Sequence, residues 1–170
     1  MKKILFLFIF ANIIYAKDLN YNTYMLKLIN ITKKIKHDFP FSAMIVDNET
    51  GKILCMGTNK NISTNNPSLQ SEIVAINSCA KKYKHKINWK NTTLISTAEP
   101  CGISLNAALW AGIPKIVYGT SMKFLLKHKW KQIDVSNHKL VNQRIMIIGG
   151  IMAKKTNQLY LSFDPKSIIN

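Results

Sequence analysis

The sequence has few acidic residues and almost no arginine. Its 170 residues include 24 basic and 8 acidic side chains, for a formal net charge of +16. Every basic residue except Arg144 is a lysine. Lysine attracts phosphate as a flexible point charge, whereas bidentate recognition of bases and phosphates depends on arginine. Sequence-specific binding of nucleic acid is therefore not expected. The lysine-rich stretches 81–90 and 123–131 are typical of a solvated face, with a polyanion or a membrane surface as the alternative partner.

Cysteine is also scarce. Cys55, Cys79 and Cys101 form an odd set. In an oxidising compartment at least one of these thiols stays unpaired. The sequence leaves open whether any two of them form a disulfide.

The chain lacks a linker and an apolar run long enough to span a bilayer. No stretch rich in proline, glycine or serine divides it, so one domain is expected over residues 17–170. Residues 1–16 differ: two lysines precede an apolar run that ends at Ala16, the pattern of a secretory signal peptide. The run is shorter than the about 20 apolar residues of a spanning helix. We expect export to the periplasm or the exterior, or a membrane anchor if the leader is not cleaved.

The spacing of apolar residues predicts alternating helices and strands. It predicts a helix over 22–36, a hairpin of strands 41–46 and 53–56, and a polar loop over 58–68. The remaining predicted elements are a helix over 71–83, a strand over 92–97, a helix over 102–110, a strand over 113–119, a helix over 122–129, a strand over 145–148 and a helix over 151–161. This order predicts the α/β class, as a three-layer α/β/α sandwich around a mixed sheet of roughly five strands.

Two helix starts carry the residues of chemical interest. Residues 92–112 pass from an apolar strand through Glu99, Pro100 and Cys101 directly into an alanine- and leucine-rich helix. Cys101 therefore lies where the free backbone N–H groups of a first helical turn can stabilise negative charge. Upstream, Gln70 and Glu72 open another helix. The question is whether these two helix starts form a metal site.

In this order, the segments resemble the zinc-dependent nucleoside and nucleobase deaminases of the cytidine/deoxycytidylate deaminase-like superfamily. The signature of that family is H-x-E followed by P-C-x-x-C. The likeness is to the branch of guanine or other purine deaminases and tRNA adenosine deaminases. The segments that carry it are 39–46, 72–76, 97–101, 107–119, 130–134 and 149–151.

The resemblance implies roles for particular residues. Glu72 would be the catalytic general acid and base, and Cys101 a metal ligand, with zinc as the cofactor. Each residue has a structural alternative. Glu72 could simply be a carboxylate that complements the dipole in the first turn of a helix, and Cys101 could be an inert buried thiol. The resemblance also implies a homodimer and a pocket for a nucleobase or nucleoside. The residues it assigns to that pocket are Asn59, Phe41, Ala43 and Pro100, of which Asn59 also suits a loop cap.

The departures from the family pattern fall on the metal ligands. Gln70 stands at the histidine position and Ser104 at the second cysteine position, so Cys101 is the only retained ligand. A catalytic zinc takes three protein ligands and lowers the pKa of its bound water to about 7. General acid–base help contributes only about 10² to 10⁴-fold, so Glu72 does not replace the metal. The histidines do not restore the site by their spacing: His37, His85, His128 and His138.

Two functional classes follow, and we favour the first. It is an exported, catalytically impaired member of the superfamily that binds a nucleoside-like ligand or a partner. The second is an active metal-dependent deaminase of a purine-type base or nucleoside that uses Glu72, Cys101 and a further ligand. A third class, a basic protein acting on nucleic acid or lipid surfaces, depends on the lysine count alone.

Overall fold

The computed structural model describes residues 19–130, 132 and 145–163, and the expected leader lies outside them. Its five strands form one mixed sheet in the order β2-β1-β3-β4-β5. β1 pairs antiparallel with both β2 and β3, whereas β3–β4 and β4–β5 are parallel pairs. The strands are β1 Ser42–Asp47, β2 Ile53–Thr58, β3 Thr92–Ala98, β4 Lys115–Thr120 and β5 Met146–Ile148.

Helices cover both faces of the sheet. They are α1 Tyr21–Thr32, α2 Ser71–Tyr83, α3 Gly102–Ala111, α4 Met122–Lys127 and α5 Ala153–Leu161. α2 and α3 pack against each other on one face, and α1 and α5 pack on the other. The three-layer α/β/α sandwich with a five-stranded mixed sheet confirms the predicted fold class. Within the described ranges, no helix has both the length and the apolar character needed to cross a bilayer.

The central strand β1 contributes to both halves of the core. Met44 and Val46 belong to the apolar cluster under α1 and α5, while Ala43 and Ile45 belong to the cluster under α2 and α3. Successive side chains of a strand point to opposite faces, so a strand covered on both sides is apolar at every position. This explains the continuous apolar run 43–46 in the sequence.

The first helix is shorter than predicted. It ends at Thr32 and not at residue 36, and Lys33 is its C-cap. The chain then turns so that the buried carboxylate of Asp38 accepts hydrogen bonds from the backbone N–H groups of Ile62 and Ser63, at 2.9 and 3.0 Å. This tertiary contact holds the segment after α1 against the loop after β2, although local periodicity alone favours a longer helix.

A disulfide joins the edge strand to a helix. Cys55 in β2 and Cys79 in α2 are bonded, with Cα atoms 5.5 Å apart, and Cys101 is free. The structure thus decides a pairing that the sequence left open. It also ties the helix that carries Glu72 to the edge of the sheet.

Candidate functional site

Glu72 is a buried carboxylate held by two hydroxyl groups. It lies in the first turn of α2 and is only 5% exposed. Its Oε1 accepts a hydrogen bond from the Ser96 hydroxyl at 2.6 Å, and its Oε2 accepts one from the Ser104 hydroxyl at 3.0 Å. Ser96 belongs to β3 and Ser104 to α3. One carboxylate therefore links α2, the sheet and α3.

Cys101 and Ser104 share one side of the first turn of α3. Cys101 is the N-cap residue in extended conformation, and residues three apart are neighbours on a helix surface. The Cys101 thiol donates to the Ser104 hydroxyl, with Sγ and Oγ 3.8 Å apart. Because Ser104 donates in turn to Glu72, a hydrogen-bonded chain runs from the half-buried thiol to the buried carboxylate.

The Gln70 side chain is held by the loop before α2. Its Oε1 accepts from Asn59 Nδ2 at 3.3 Å, and its Nε2 donates to the carbonyl of Pro67 at 3.4 Å. Gln70 is the N-cap residue of α2, although its side chain makes no capping hydrogen bond. The two departures from the family pattern thus differ in their contacts, since Ser104 binds Glu72 and Gln70 binds Asn59.

Of the four residues assigned to the ligand pocket, Asn59 bonds to Gln70, Ala43 pairs with Ser96 and Pro100 precedes Cys101. Asn59 is almost fully buried, and its Oδ1 accepts from the backbone N–H of Asn61 at 2.9 Å. Its own backbone N–H donates to the carbonyl of Phe41 at 3.0 Å. Ala43 is fully buried and pairs with Ser96 across β1 and β3, and Pro100 is buried directly before Cys101.

The ring of Phe41 takes part in an aromatic cluster. Its centroid lies 5.4 Å from that of Trp130 and 5.0 Å from that of Tyr160. Trp130 and Tyr160 belong to the core cluster under α1 and α5. The structure thus joins Phe41 to Asn59 through the backbone, while its ring packs into the core.

Sequence reasoning missed Ser96. This residue is fully buried in β3, whose residues are all buried. A buried hydroxyl needs a hydrogen-bond partner, and Ser96 finds it in Glu72. No sequence signal singles out Ser96, because β3 also carries the hydroxyl residues Thr92, Thr93 and Thr97.

A second acidic residue, Glu99, serves the turn after β3. Its Oε2 accepts from the backbone N–H of Met122, at the start of α4, at 2.8 Å. Its charge and hydrogen bond also act on Tyr118, although burial is the larger cause; together they raise the pKa of Tyr118 to about 12. Glu99 therefore supports the connection between β3 and α4.

The residues at the metal positions do not fit a catalytic zinc site. Such a site takes three ligands from histidine nitrogen, thiolate and carboxylate. Cys101 offers one thiolate, whereas Ser104 directs its hydroxyl proton to Glu72, and the Gln70 amide binds Asn59 and Pro67. In the described part of the chain, no three histidine, cysteine, aspartate or glutamate side chains are grouped so that they could hold a metal ion.

Comparisons with known proteins agree with the fold. The family of the cytidine and deoxycytidylate deaminase zinc-binding region matches residues 19–120. A tRNA-specific adenosine deaminase from Buchnera aphidicola (subsp. Baizongia pistaciae) is 30% identical over 129 residues, which cover 74% of this chain and 75% of that protein.

Solved structures share the architecture at lower identity. A guanine deaminase from Nitrosomonas europaea has a TM-score of 0.69 at 18% identity, covering 84% of this chain and 81% of that one. NE0047 in complex with 2,6-diaminopurine also has a TM-score of 0.69, at 20% identity, covering 84% of this chain and 78% of that one. With its Glu72 on α2, its Pro100-Cys101 turn before α3 and this match over residues 19–120, the chain belongs to the cytidine and deoxycytidylate deaminase zinc-binding family.

Proposed function

We propose that this chain is an exported deaminase-fold protein that binds a purine-type base or nucleoside and does not carry out metal-dependent deamination. The observation that carries the proposal is the hydrogen bond from Ser104 to Glu72 at 3.0 Å. The family signature has a second cysteine at the position of Ser104. The Ser104 hydroxyl is neutral and donates a hydrogen bond to Glu72. It therefore does not take the place of a thiolate ligand.

The state of Glu72 supports the loss of the deaminase reaction. In that reaction a zinc-bound water attacks the base and the glutamate moves protons. Both oxygens of Glu72 already accept hydroxyl hydrogen bonds from the protein. Glu72 therefore acts in this chain as the buried centre of a hydrogen-bond network that holds α2, β3 and α3 together.

Asn59 and the relatives support a purine-type ligand. The Asn59 amide has two N–H donors, of which one is used on Gln70, so a second remains for a ligand acceptor. The relatives include tRNA-specific adenosine deaminases, and NE0047 has been solved with 2,6-diaminopurine. These names make purine bases and nucleosides the first ligands to test.

The disulfide supports export. Disulfides form and persist in oxidising compartments and are rare in reducing ones. Cys79 is fully buried and Cys55 nearly so, which makes their bond a part of the core. Together with the leader pattern of residues 1–16, this favours a periplasmic or secreted protein. The homodimer implied by the family stays a prediction, and light scattering of the purified protein tests it.

The first test measures zinc content and ammonia release of the purified mature protein. We expect well under one zinc per chain after growth with zinc, and no ammonia above the enzyme-free rate from adenine, guanine, cytosine and their nucleosides. Calorimetry should detect binding of at least one purine. Glu72→Gln serves as the matched control for any trace of ammonia.

Stoichiometric zinc together with turnover that Glu72→Gln abolishes would overturn this proposal. It would establish the second class, an active deaminase, for which the half-buried Cys101 thiol beside Ser104 is the favouring feature. Absence of binding by every purine and pyrimidine tested would reject the ligand-binding half of the proposal.

A further inference from the structure

A basic cavity opens beside the site, on the side of Asn59. Its volume is about 480 Å³, within the range of small-molecule sites, about 300 to 1,000 Å³. It lies between the end of α1, the segment that follows it, the end of β2 and the loop after β2. The lining residues are Ile31, Lys34, Ile35, Lys36, His37, Asp38, Thr58, Asn59, Lys60 and Ser63.

The cavity is strongly cationic. Lys34, Lys36 and Lys60 carry exposed ammonium groups in its lining, and the imidazole of His37 adds a further donor. The opposing charge is the carboxylate of Asp38, which is buried and accepts two backbone N–H groups of the loop after β2. Asp38 thereby fixes the two walls relative to each other, and three lysines outnumber it.

Asn59 joins the cavity to the family site. It lines the cavity, and its Nδ2 donates to Gln70, which stands directly before Ser71 and Glu72 in the chain. Asn59 thus connects the lysine-lined cavity to the helix start that carries Gln70 and Glu72. The half-buried side chains of Ile31 and Ile35 give the cavity an apolar wall.

We propose that this cavity binds a phosphate group, so that the protein binds a nucleotide more tightly than the corresponding free base or nucleoside. Recognition of the base rests on the proposed function, whereas recognition of the phosphate rests on the cavity alone. Three ammonium groups around one concave surface suit a phosphate dianion, because hydrogen bonds between ionised partners are the strong ones. Lysine binds phosphate as a point charge, which matches a chain nearly devoid of arginine.

The experiment compares adenosine 5′-monophosphate, adenosine and inorganic phosphate by calorimetry at one ionic strength. We expect the monophosphate to bind at least about tenfold more tightly than adenosine, which corresponds to about 1.4 kcal/mol. The triple variant Lys34→Ala, Lys36→Ala, Lys60→Ala should lose that advantage and keep the affinity for adenosine. These side chains are exposed, and circular dichroism checks that the variant folds.

A second triple variant, Lys123→Ala, Lys127→Ala, Lys154→Ala, removes the same charge from exposed positions outside the cavity. It should leave the affinity for the monophosphate unchanged within about twofold. Equal weakening by both triple variants would overturn the proposal, because it would show attraction by net charge alone.

The remaining outcomes separate this proposal from the proposed function. If adenosine binds and its monophosphate binds no more tightly, the cavity proposal falls and the proposed function stands. If the monophosphate and inorganic phosphate bind equally and adenosine does not, the phosphate site stands and the purine-binding function falls. If only a single-stranded oligonucleotide binds, the small-molecule assignment is wrong.

Discussion

The two residues that the resemblance assigns to the family's metal positions take up different contacts. Ser104 donates to Glu72, and Gln70 accepts from Asn59. Each residue has a hydrogen-bond partner, so neither polar group carries the cost of an unmade bond, about 1 to 3 kcal/mol when buried. The site is therefore held together by hydrogen bonds at the positions where the family signature places metal ligands.

Restoring the ligands tests this placement. We expect the double variant Gln70→His with Ser104→Cys to bind close to one zinc per chain, since Cys101 then completes a set of three. Each single variant should bind much less, because it supplies only two ligands. Metal analysis after gel filtration measures the zinc.

Gln70→Asn with Ser104→Ala is the matched control for this experiment, because it changes the same positions without adding a ligand. A double variant that folds but remains free of zinc would contradict the assignment of Gln70 and Ser104 to the two ligand positions.

At the scale of the elements, α2 is joined to three other elements of the fold by a hydrogen-bonded carboxylate and a disulfide. Its first turn carries Glu72, hydrogen-bonded to β3 and α3, and its third turn carries Cys79, bonded to Cys55 in β2. β2 is an edge strand of the sheet. The disulfide therefore attaches the later turns of α2 to the edge of the sheet. The Glu72 carboxylate attaches the first turn of α2 to β3 and α3.

Removing the disulfide should destabilise the fold without removing the site. The two cysteines are 24 residues apart, and closing a loop of that size stabilises a protein by about 3 kcal/mol. We expect the double variant Cys55→Ala, Cys79→Ala to have a free energy of unfolding in urea that is lower by about that amount. Cys101→Ala, which removes the free thiol, should cost much less.

The unsubstituted protein, with both cysteines present, tests export. Expressed with its leader, the protein should begin at Lys17 by mass spectrometry, with Cys55 and Cys79 protected from alkylation until reduced. An intact leader together with two freely alkylated cysteines would contradict both export and the structural role of the disulfide.

At the scale of the whole molecule, two buried tyrosines link stability to pH. Tyr160 is fully buried and donates to Thr97, and burial raises its pKa above the usual range. Burial and Glu99 raise the pKa of Tyr118 to about 12. The folded state thus holds both phenol protons more tightly than the unfolded chain does, where the usual value is about 10.

The alkaline stability should reflect this difference. The contribution of Tyr118 is complete below pH 10, its unfolded pKa, and is lost as the pH rises toward 12. The free energy of unfolding, measured in urea, should therefore decline less between pH 10 and pH 12 for Tyr118→Phe than for the natural chain. At pH 8 the two should differ only by the lost hydrogen bond to Glu99. Parallel declines above pH 10 would show that Tyr118 does not contribute.

The amino-acid sequence by itself determined the fold class and the order of the elements, and it motivates the prediction that the metal motif is incomplete. α2 spans Ser71–Tyr83 as predicted, because a helix start and an amphipathic repeat are local signals. The continuous apolar run of β1 likewise follows from burial on both faces. Gln70 and Ser104 could be read as departures because motif spacing is a property of the chain alone.

Only the tertiary structure decided which groups meet. Ser96 and Glu72 are 24 residues apart, and Asn59 and Gln70 lie on opposite ends of a loop, so no local pattern pairs them. The same holds for the Cys55–Cys79 bond and for the cavity that gathers Lys34, Lys36 and Lys60. Hydrogen bonds, disulfides and cavities depend on distances in space, and these are set when the helices close over the two faces of the sheet.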